Sequence, residues 1–150
     1  MDTTPVSHLL NRKGHNVVSI HPIATVRDTI RIMVDHNVGA IVVMDGTRIA
    51  GIFTERDYLR RIVLQGRTSD TTQVREVMTT DVVTVPPSCT VGGCMQLMTK
   101  HKCRHLPVIN TGTGLLQGLV SIGDCVKYVS EQAQHEVESL RSYISGGYMA

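Results

Sequence analysis

The sequence predicts a mixed α/β (α+β) fold, a tandem pair of β-α-β-β-α units followed by a long C-terminal helix. Three observations carry this. Residues 17 to 44, VVSIHPIATVRDTIRIMVDHNVGAIVVM, lie without a gap over residues 82 to 109, VVTVPPSCTVGGCMQLMTKHKCRHLPVI, at a shift of 65 with 8 of 28 columns identical. Within each copy the hydrophobic period changes in the same order, from extended to helical and back. Both copies then close on Gly-x-x-[Thr/Ser]-x-x-Asp, written 51-GIFTERD-57 and 118-GLVSIGD-124.

Each copy opens on a similar lead-in, Val6-Ser7-His8-Leu9-Leu10 and Val74-Arg75-Glu76-Val77-Met78. Short extended pieces, Val17 to Ile20 and Val82 to Val85, run through proline to Thr25 and Thr90, which have the chemistry of N-caps. Val26, Ile30, Met33 and Val34 then recur at helical spacing, as do Val91, Met95 and Met98, with Gly92 and Gly93 expected to weaken the second helix. The Val- and Ile-rich runs Ala40 to Met44 and Leu106 to Ile109 suit buried strands. Asp45-Gly46 marks a tight hairpin, and Asn110-Thr111-Gly112-Thr113-Gly114 a looser one. A closing helix is expected from Thr54 to near Gly66, and another from Ser121 to Ile144, stopped by Gly146-Gly147. The last helix carries Val129, Ala133, Val137, Leu140 and Ile144 as an apolar stripe beyond what one copy needs, with Tyr143 and Tyr148 nearby. That stripe predicts a partner contact or a fold back over the module.

Composition narrows the function classes. A chain of 150 residues with 41% hydrophobic content folds around one core or two small halves. Its 15 basic and 13 acidic residues leave a net charge of +2, too balanced for a protein that grips nucleic acid or anionic membrane. With one Phe, four Tyr and no Trp it lacks the aromatics of a base-stacking platform. The four cysteines, Cys89, Cys94, Cys103 and Cys125, form no Cys-x-x-Cys pair and read as reduced thiols of an intracellular protein. The opening residues show no secretory or presequence pattern, and no run has the length of a membrane span, which predicts a soluble protein.

Thr54-Glu55-Arg56-Asp57 has the spacing of a helix capping box, and Ser121-Ile122-Gly123-Asp124 repeats it. A helix N-terminus also attracts anions, so capping and binding are compatible. Arg60, Arg61 and Arg67 read as a solvated helix face. His101, Cys103 and His105 alternate as metal ligands on a strand do, but lack a fourth ligand, so the expectation is structural, with no metal site. Cys103 and His105 lack the orienting acid and oxyanion hole of a nucleophile pair, so no catalytic residue is assigned.

The complete duplication, with 35-DHNVGAIVVMDG-46, 51-GIFTERDYLRRI-62, 74-VREVMTTDVVTVPP-87, 101-HKCRHLPVIN-110 and 118-GLVSIGDCV-126, resembles the CBS-domain pair, or Bateman module. The Thr-Glu-Arg-Asp-Tyr wording and the tail 143-YISGGY-148 resemble the small stand-alone members of bacteria and plant organelles. The corresponding boundaries are 5–66 for the first domain, 67–73 for a linker, 74–130 for the second domain and 131–150 for a helical extension and tail.

The resemblance implies two repeats packed through their sheets about a pseudo-twofold axis, with two clefts for adenosine-containing ligands: AMP, ADP, ATP or NAD(H). The nucleotide is then a regulatory ligand, and no cofactor serves catalysis. Asp57 and Asp124 would accept from ribose hydroxyls, and Thr54 and Ser121 would add hydroxyls. The backbone of Val17, Val18 and Ser19, and of Val82, Val83 and Thr84, would read the adenine edge. Cys103, Arg104 and His105 would complete the Asp57 cleft, and Val38, Gly39 and Ala40 the Asp124 cleft, with Arg104 and His105 between the two and able to bind phosphate in either. Arg56, whose counterpart is Gly123, makes the first cleft the more basic and the tighter phosphate site. The implied setting is a bacterial cytoplasm or an organelle matrix such as the mitochondrion. The implied state is a homodimer without nucleic-acid or membrane partners, regulating another protein in trans; plant relatives imply thioredoxin. The alternative is a dimerisation and interaction protein with vestigial clefts.

Overall fold

Thr25 and Thr90 hold the two halves in parallel conformations: each is extended, and each hydroxyl accepts from the backbone N–H three residues on, Asp28 or Gly93. The computed structural model describes residues 3–149, with side chains to residue 145. In order it contains α1 (Val6–Lys13), β1 (Ser19–Ile20), α2 (Val26–Asp35), β2 (Ala40–Asp45), β3 (Arg48–Thr54) and α3 (Glu55–Asp57), which runs into a π-helical turn (Tyr58–Val63). A 3-10 turn (Val74–Glu76), α4 (Val91–His101), β4 (His105–Ile109), β5 (Leu116–Ser121) and α5 (Ile122–Met149) follow.

In the first copy β1 runs parallel to β2, and β2 pairs antiparallel with β3 from Ala40↔Thr54 to Asp45↔Arg48. Gly46 takes φ +62 in the tight loop, the left-handed conformation that the Asp-Gly pair predicts. In the second copy β4 and β5 pair from His105↔Ser121 to Ile109↔Leu116. The extended piece expected at Val82 to Val85 shrinks to one parallel bridge, Val85↔Val108. Pro107 is the cause. It stands where the first copy has Val42, whose N–H donates to Val18 O at 3.2 Å, and proline has no N–H to give.

Sequential units and packing units differ, because the lead-ins exchange. The Val6, Ser7 and Val91 N–H groups donate to Cys89, Pro87 and Thr4 carbonyls at 2.7, 3.1 and 2.8 Å. The Val74, Arg75 and Val26 N–H groups donate to Ala24, Pro22 and Thr72 carbonyls at 2.8, 3.0 and 2.9 Å, the same pattern with the copies reversed. Val6, Leu9 and Leu10 of the first lead-in are buried among Val85, Val91, Leu106, Val108 and Val120. Val74 and Val77 of the second are buried among Val26, Ile41, Val43 and Phe53. Burying each such side chain contributes about 1.5–3 kcal/mol, so each half is stabilised by a segment of the other.

The recurring Gly51 and Gly118 mark where these lead-ins press onto the sheets. A Cβ on Gly51 would lie 2.6 Å from Thr79 O, and one on Gly118 would lie 2.7 Å from a Leu10 methyl. Two expectations about helices are corrected. Gly92 and Gly93 leave α4 intact over 11 residues, because the Thr90 cap and burial of Val91, Cys94 and Met98 outweigh their lower propensity. α5 continues through Gly146 and Gly147 to Met149, since glycine lowers helix propensity by about 1 kcal/mol without blocking the backbone bonds.

Candidate functional site

Asp57 sits on the third residue after its cap, and its carboxylate is nearly buried. Oδ2 accepts from Thr54 N–H at 3.0 Å and from the Thr54 hydroxyl at 3.2 Å, while the Asp57 N–H donates back to Thr54 Oγ1 at 3.2 Å. The capping box is complete. The second oxygen accepts from Thr79 Oγ1 at 3.1 Å, and Thr79 joins the edge of β3 by a two-way bridge with Ile52. Arg61 lies 3.8 Å from Oδ1, its guanidinium donating to the Val77 and Met78 carbonyls at 3.0 and 2.8 Å.

Arg61 is therefore a strap between the helix and the exchanged lead-in, not part of a solvated face; its position four residues after Asp57 was the available signal. Arg67 likewise pairs with Glu76 at 2.9 Å. The Gln73 backbone N–H, then burial working the other way, then Arg67, set the Glu76 carboxyl below its usual range. Arg56 is exposed.

At Asp124 the box recurs with different company. Oδ2 accepts from Ser121 N–H at 2.9 Å, and the Asp124 N–H donates to Ser121 Oγ at 3.1 Å. Lys13, at the end of the exchanged α1, donates to Oδ2 at 2.6 Å and to Leu119 O at 2.8 Å. Burial raises the Asp124 pKa, but hydrogen bonds from Lys13 and Ser121 outweigh it and hold the carboxyl below its usual range. His105 starts β4 opposite Ser121; burial first, then Lys13 and Arg104, lower its pKa against the pull of Asp124.

The predicted segments meet at one residue each. Continued along the chain, the Ser19↔Val42 and Ala40↔Thr54 registers bring Val17, Ala40 and Thr54 level in the first copy. In the second, the Val85↔Val108 and His105↔Ser121 registers bring Val82, His105 and Ser121 level. Equivalent bonds tie the rows: Glu55 N–H to Gly39 O at 3.1 Å and Ile122 N–H to Arg104 O at 2.8 Å.

Residues 103–105 sit against Ser121 in their own sheet, and 38–40 against Thr54 and Glu55; of the groups bonded to the two carboxylates, Thr79 and Lys13 come from the opposite copy. Lys13 bonds Asp124 and His105 lies beside them, whereas Arg61, the cation paired with Asp57, is held by two carbonyls. Lys13 could not be found from the repeat, since its role depends on the lead-in exchange.

Val82, Val83 and Thr84 have no backbone hydrogen bonds among the described residues, whereas Val18 O is taken by Val42. Burial raises the Cys103 thiol, which opposes a thiolate nucleophile there. Among the described residues no group of three His, Cys, Asp or Glu side chains is placed to hold a metal, and no helix is long and apolar enough to cross a membrane. A cavity of about 450 Å³ lies between α2 and α3; the predicted Val38 and Gly39 line it with Met33, Phe53, Tyr58 and the polar Glu55, and it includes neither Asp57 nor Asp124.

Residues 6–64 and 74–131 each match the family model of the CBS domain. The chain belongs to the CBS-domain family. This CBS pair is 46% identical over 129 residues to CBSX3, a mitochondrial CBS domain-containing protein of Arabidopsis thaliana, covering 83% of this chain and 62% of that protein. It therefore spans less than two thirds of that relative's length. The solved structure of a protein with CBS domains from Burkholderia ambifaria shares 46% identity and a TM-score of 0.80, over 84% of this chain and 93% of the other. A CBS domain protein from Pyrobaculum aerophilum, solved in complex with AMP, shares 28% identity and a TM-score of 0.71, over 80% of this chain and 88% of its own.

Proposed function

We propose that this CBS pair is a regulatory module without catalytic activity that senses an adenine nucleotide and acts in trans on a partner protein. The observation that carries the reading is the Asp124 row: a half-exposed carboxylate, the Lys13 and Arg104 cations, His105, and the unpaired backbone of Val82 to Thr84, all at one end of the second sheet. AMP in the Pyrobaculum relative supports the ligand class. Ribose hydroxyls donate to Asp124, Ser121 adds a hydroxyl, the phosphate draws Lys13 and Arg104, and the 82–84 backbone meets the adenine edge. ATP and NAD(H) share the adenosine half and bind by the same contacts. Asp57, nearly buried under Thr79, forms the second, tighter-closed cleft.

Sensing follows from Lys13. It ties α1 to Asp124; a phosphate competes for it, so nucleotide binding shifts α1 and with it the relation of the two halves. A ligand moves such a balance only by its differential affinity for the two arrangements. The working unit is a homodimer, located in a bacterial cytoplasm or an organelle matrix. Val137, Leu140, Tyr143 and Ile144 are 47, 61, 77 and 53% exposed, so the stripe does not fold back over its own module; Tyr148 lies outside the described side chains. A second copy, or the regulated protein, covers that face. The same stripe favours a second reading, an interaction protein with vestigial clefts. Calorimetric titration with AMP, ADP, ATP and NADH separates the two: heat and a thermal shift with at least one nucleotide support sensing, and neither with any of the four leaves the interaction protein.

A further inference from the structure

Cys89 and Cys94 occupy the residue before the Thr90 cap and the fourth residue of α4, the two positions whose side chains meet over a helix N-terminus. The duplication shows what the fold itself requires there. Under the 65-residue shift the first copy has Ala24 and Thr29, so the scaffold closes without a thiol at either place. In the second copy the Cys94 thiol donates to Cys89 Sγ at 3.7 Å. Gly93 makes room for the contact, since a Cβ there would lie 3.3 Å from Cys89 Sγ. Cys89 is half-buried and Cys94 buried.

We propose that Cys89 and Cys94 form a redox-active dithiol that low-molecular-weight disulfides of the glutathione class convert to an intramolecular disulfide. The more accessible Cys89 thiolate attacks one sulfur of the small disulfide, forming a mixed disulfide and releasing one thiolate. Cys94, losing its proton, then attacks Cys89 Sγ and expels the second thiolate. The protein gives up two electrons and two protons, and the small disulfide becomes two thiols. Forming the bond, about 2.05 Å long, brings together two sulfurs that already stand 3.7 Å apart. Burial, with Cys89 alongside, pushes the Cys94 thiol up, so the second step is the slow one. Cys125, which burial and Asp124 push up to about 11, is the competing thiol. The disulfide would sit one hydrogen bond from α1, because Cys89 O accepts from Val6 N–H at 2.7 Å. This chemistry is independent of nucleotide binding.

The test is a redox titration of the full chain in oxidised and reduced glutathione, followed by alkylation and tryptic mapping. Peptide 76–100 holds both Cys89 and Cys94, while Cys103 and Cys125 fall in separate peptides. The expected result is that 76–100 loses two hydrogens and becomes refractory to alkylation, with Cys103 and Cys125 still alkylated; in Cys89→Ala, the residue the first copy carries, Cys94 stays reduced. Two alkylatable thiols at the most oxidising ratio, a glutathione adduct that stops at Cys89, or a link to Cys125 would each overturn the proposal.

Discussion

Lys13 meets Asp124 at 2.6 Å across 111 positions of the chain, while Asp57, the equivalent acid, is capped instead by the Thr79 hydroxyl at 3.1 Å. Both partners arrive on exchanged lead-ins, yet one is a lysine cation and the other a short hydroxyl on a strand edge. The two acids of one duplicated motif thus differ in the partner each is bonded to.

Replacing Lys13 with Met separates the two parts of a nucleotide. The variant frees Asp124 for ribose but removes a charge-assisted phosphate contact, so the preference for AMP over adenosine falls about tenfold. Competition titrations of wild type and variant with both ligands measure this ratio, and an unchanged ratio removes Lys13 from phosphate recognition.

Acid weakens the second copy in two stages. The folded pKa of His105 is lowered from 6.5, so its contribution is complete above that value and declines as pH falls through the lowered one. The folded pKa of Asp124 is lowered from 3.8, so its contribution holds above that value and is lost as pH falls through the folded one. In both cases the unfolded chain binds more protons over the window. Urea unfolding across this range should show a step below pH 6.5 that His105→Gln flattens, and a lower one, below pH 3.8, that Asp124→Asn flattens.

The paired glycines differ in what surrounds them. Gly51→Ala forces a Cβ against the Thr79 carbonyl, which is fixed by backbone bonds to Ile52. Gly118→Ala meets a side chain rather than backbone, the two methyls and Cγ of the buried Leu10 at 2.7, 2.8 and 3.2 Å. Gly51→Ala should cost about 1–3 kcal/mol and Gly118→Ala distinctly less. Denaturant midpoints of the two variants test the order, and equal losses contradict it.

Much of this fold is legible in the residues, because duplication writes each cap, hairpin and apolar period twice. Thr25 and Thr90, Asp45-Gly46, and both Thr/Ser-x-x-Asp boxes stand where their local chemistry places them. The exchange of lead-ins is not local. Val6 and Val74 look alike because they do the same work in opposite halves, and one sequence cannot say which core each enters. Arg61, Thr79 and Lys13 were missed for that reason, and Arg56, legible as a charge beside Asp57, is exposed. Pro107 was readable, but its effect on the neighbouring strand required knowing that Val82 to Val85 lies against it.

Deleting the chain after Ser130 removes the exposed stripe while retaining the buried Cys125 and Tyr128. The only described ion pair lost is the exposed Arg12–Glu131 contact at 3.5 Å, worth at most about 1 kcal/mol. Sedimentation should show a dimer becoming a folded monomer; a truncated chain that remains dimeric places the interface elsewhere.

The most direct measurement is AMP titration of wild type, Asp124→Ala and Asp57→Ala, each verified as folded by circular dichroism. Binding should be lost in Asp124→Ala and retained in Asp57→Ala. AMP binding that survives Asp124→Ala unchanged would contradict the account.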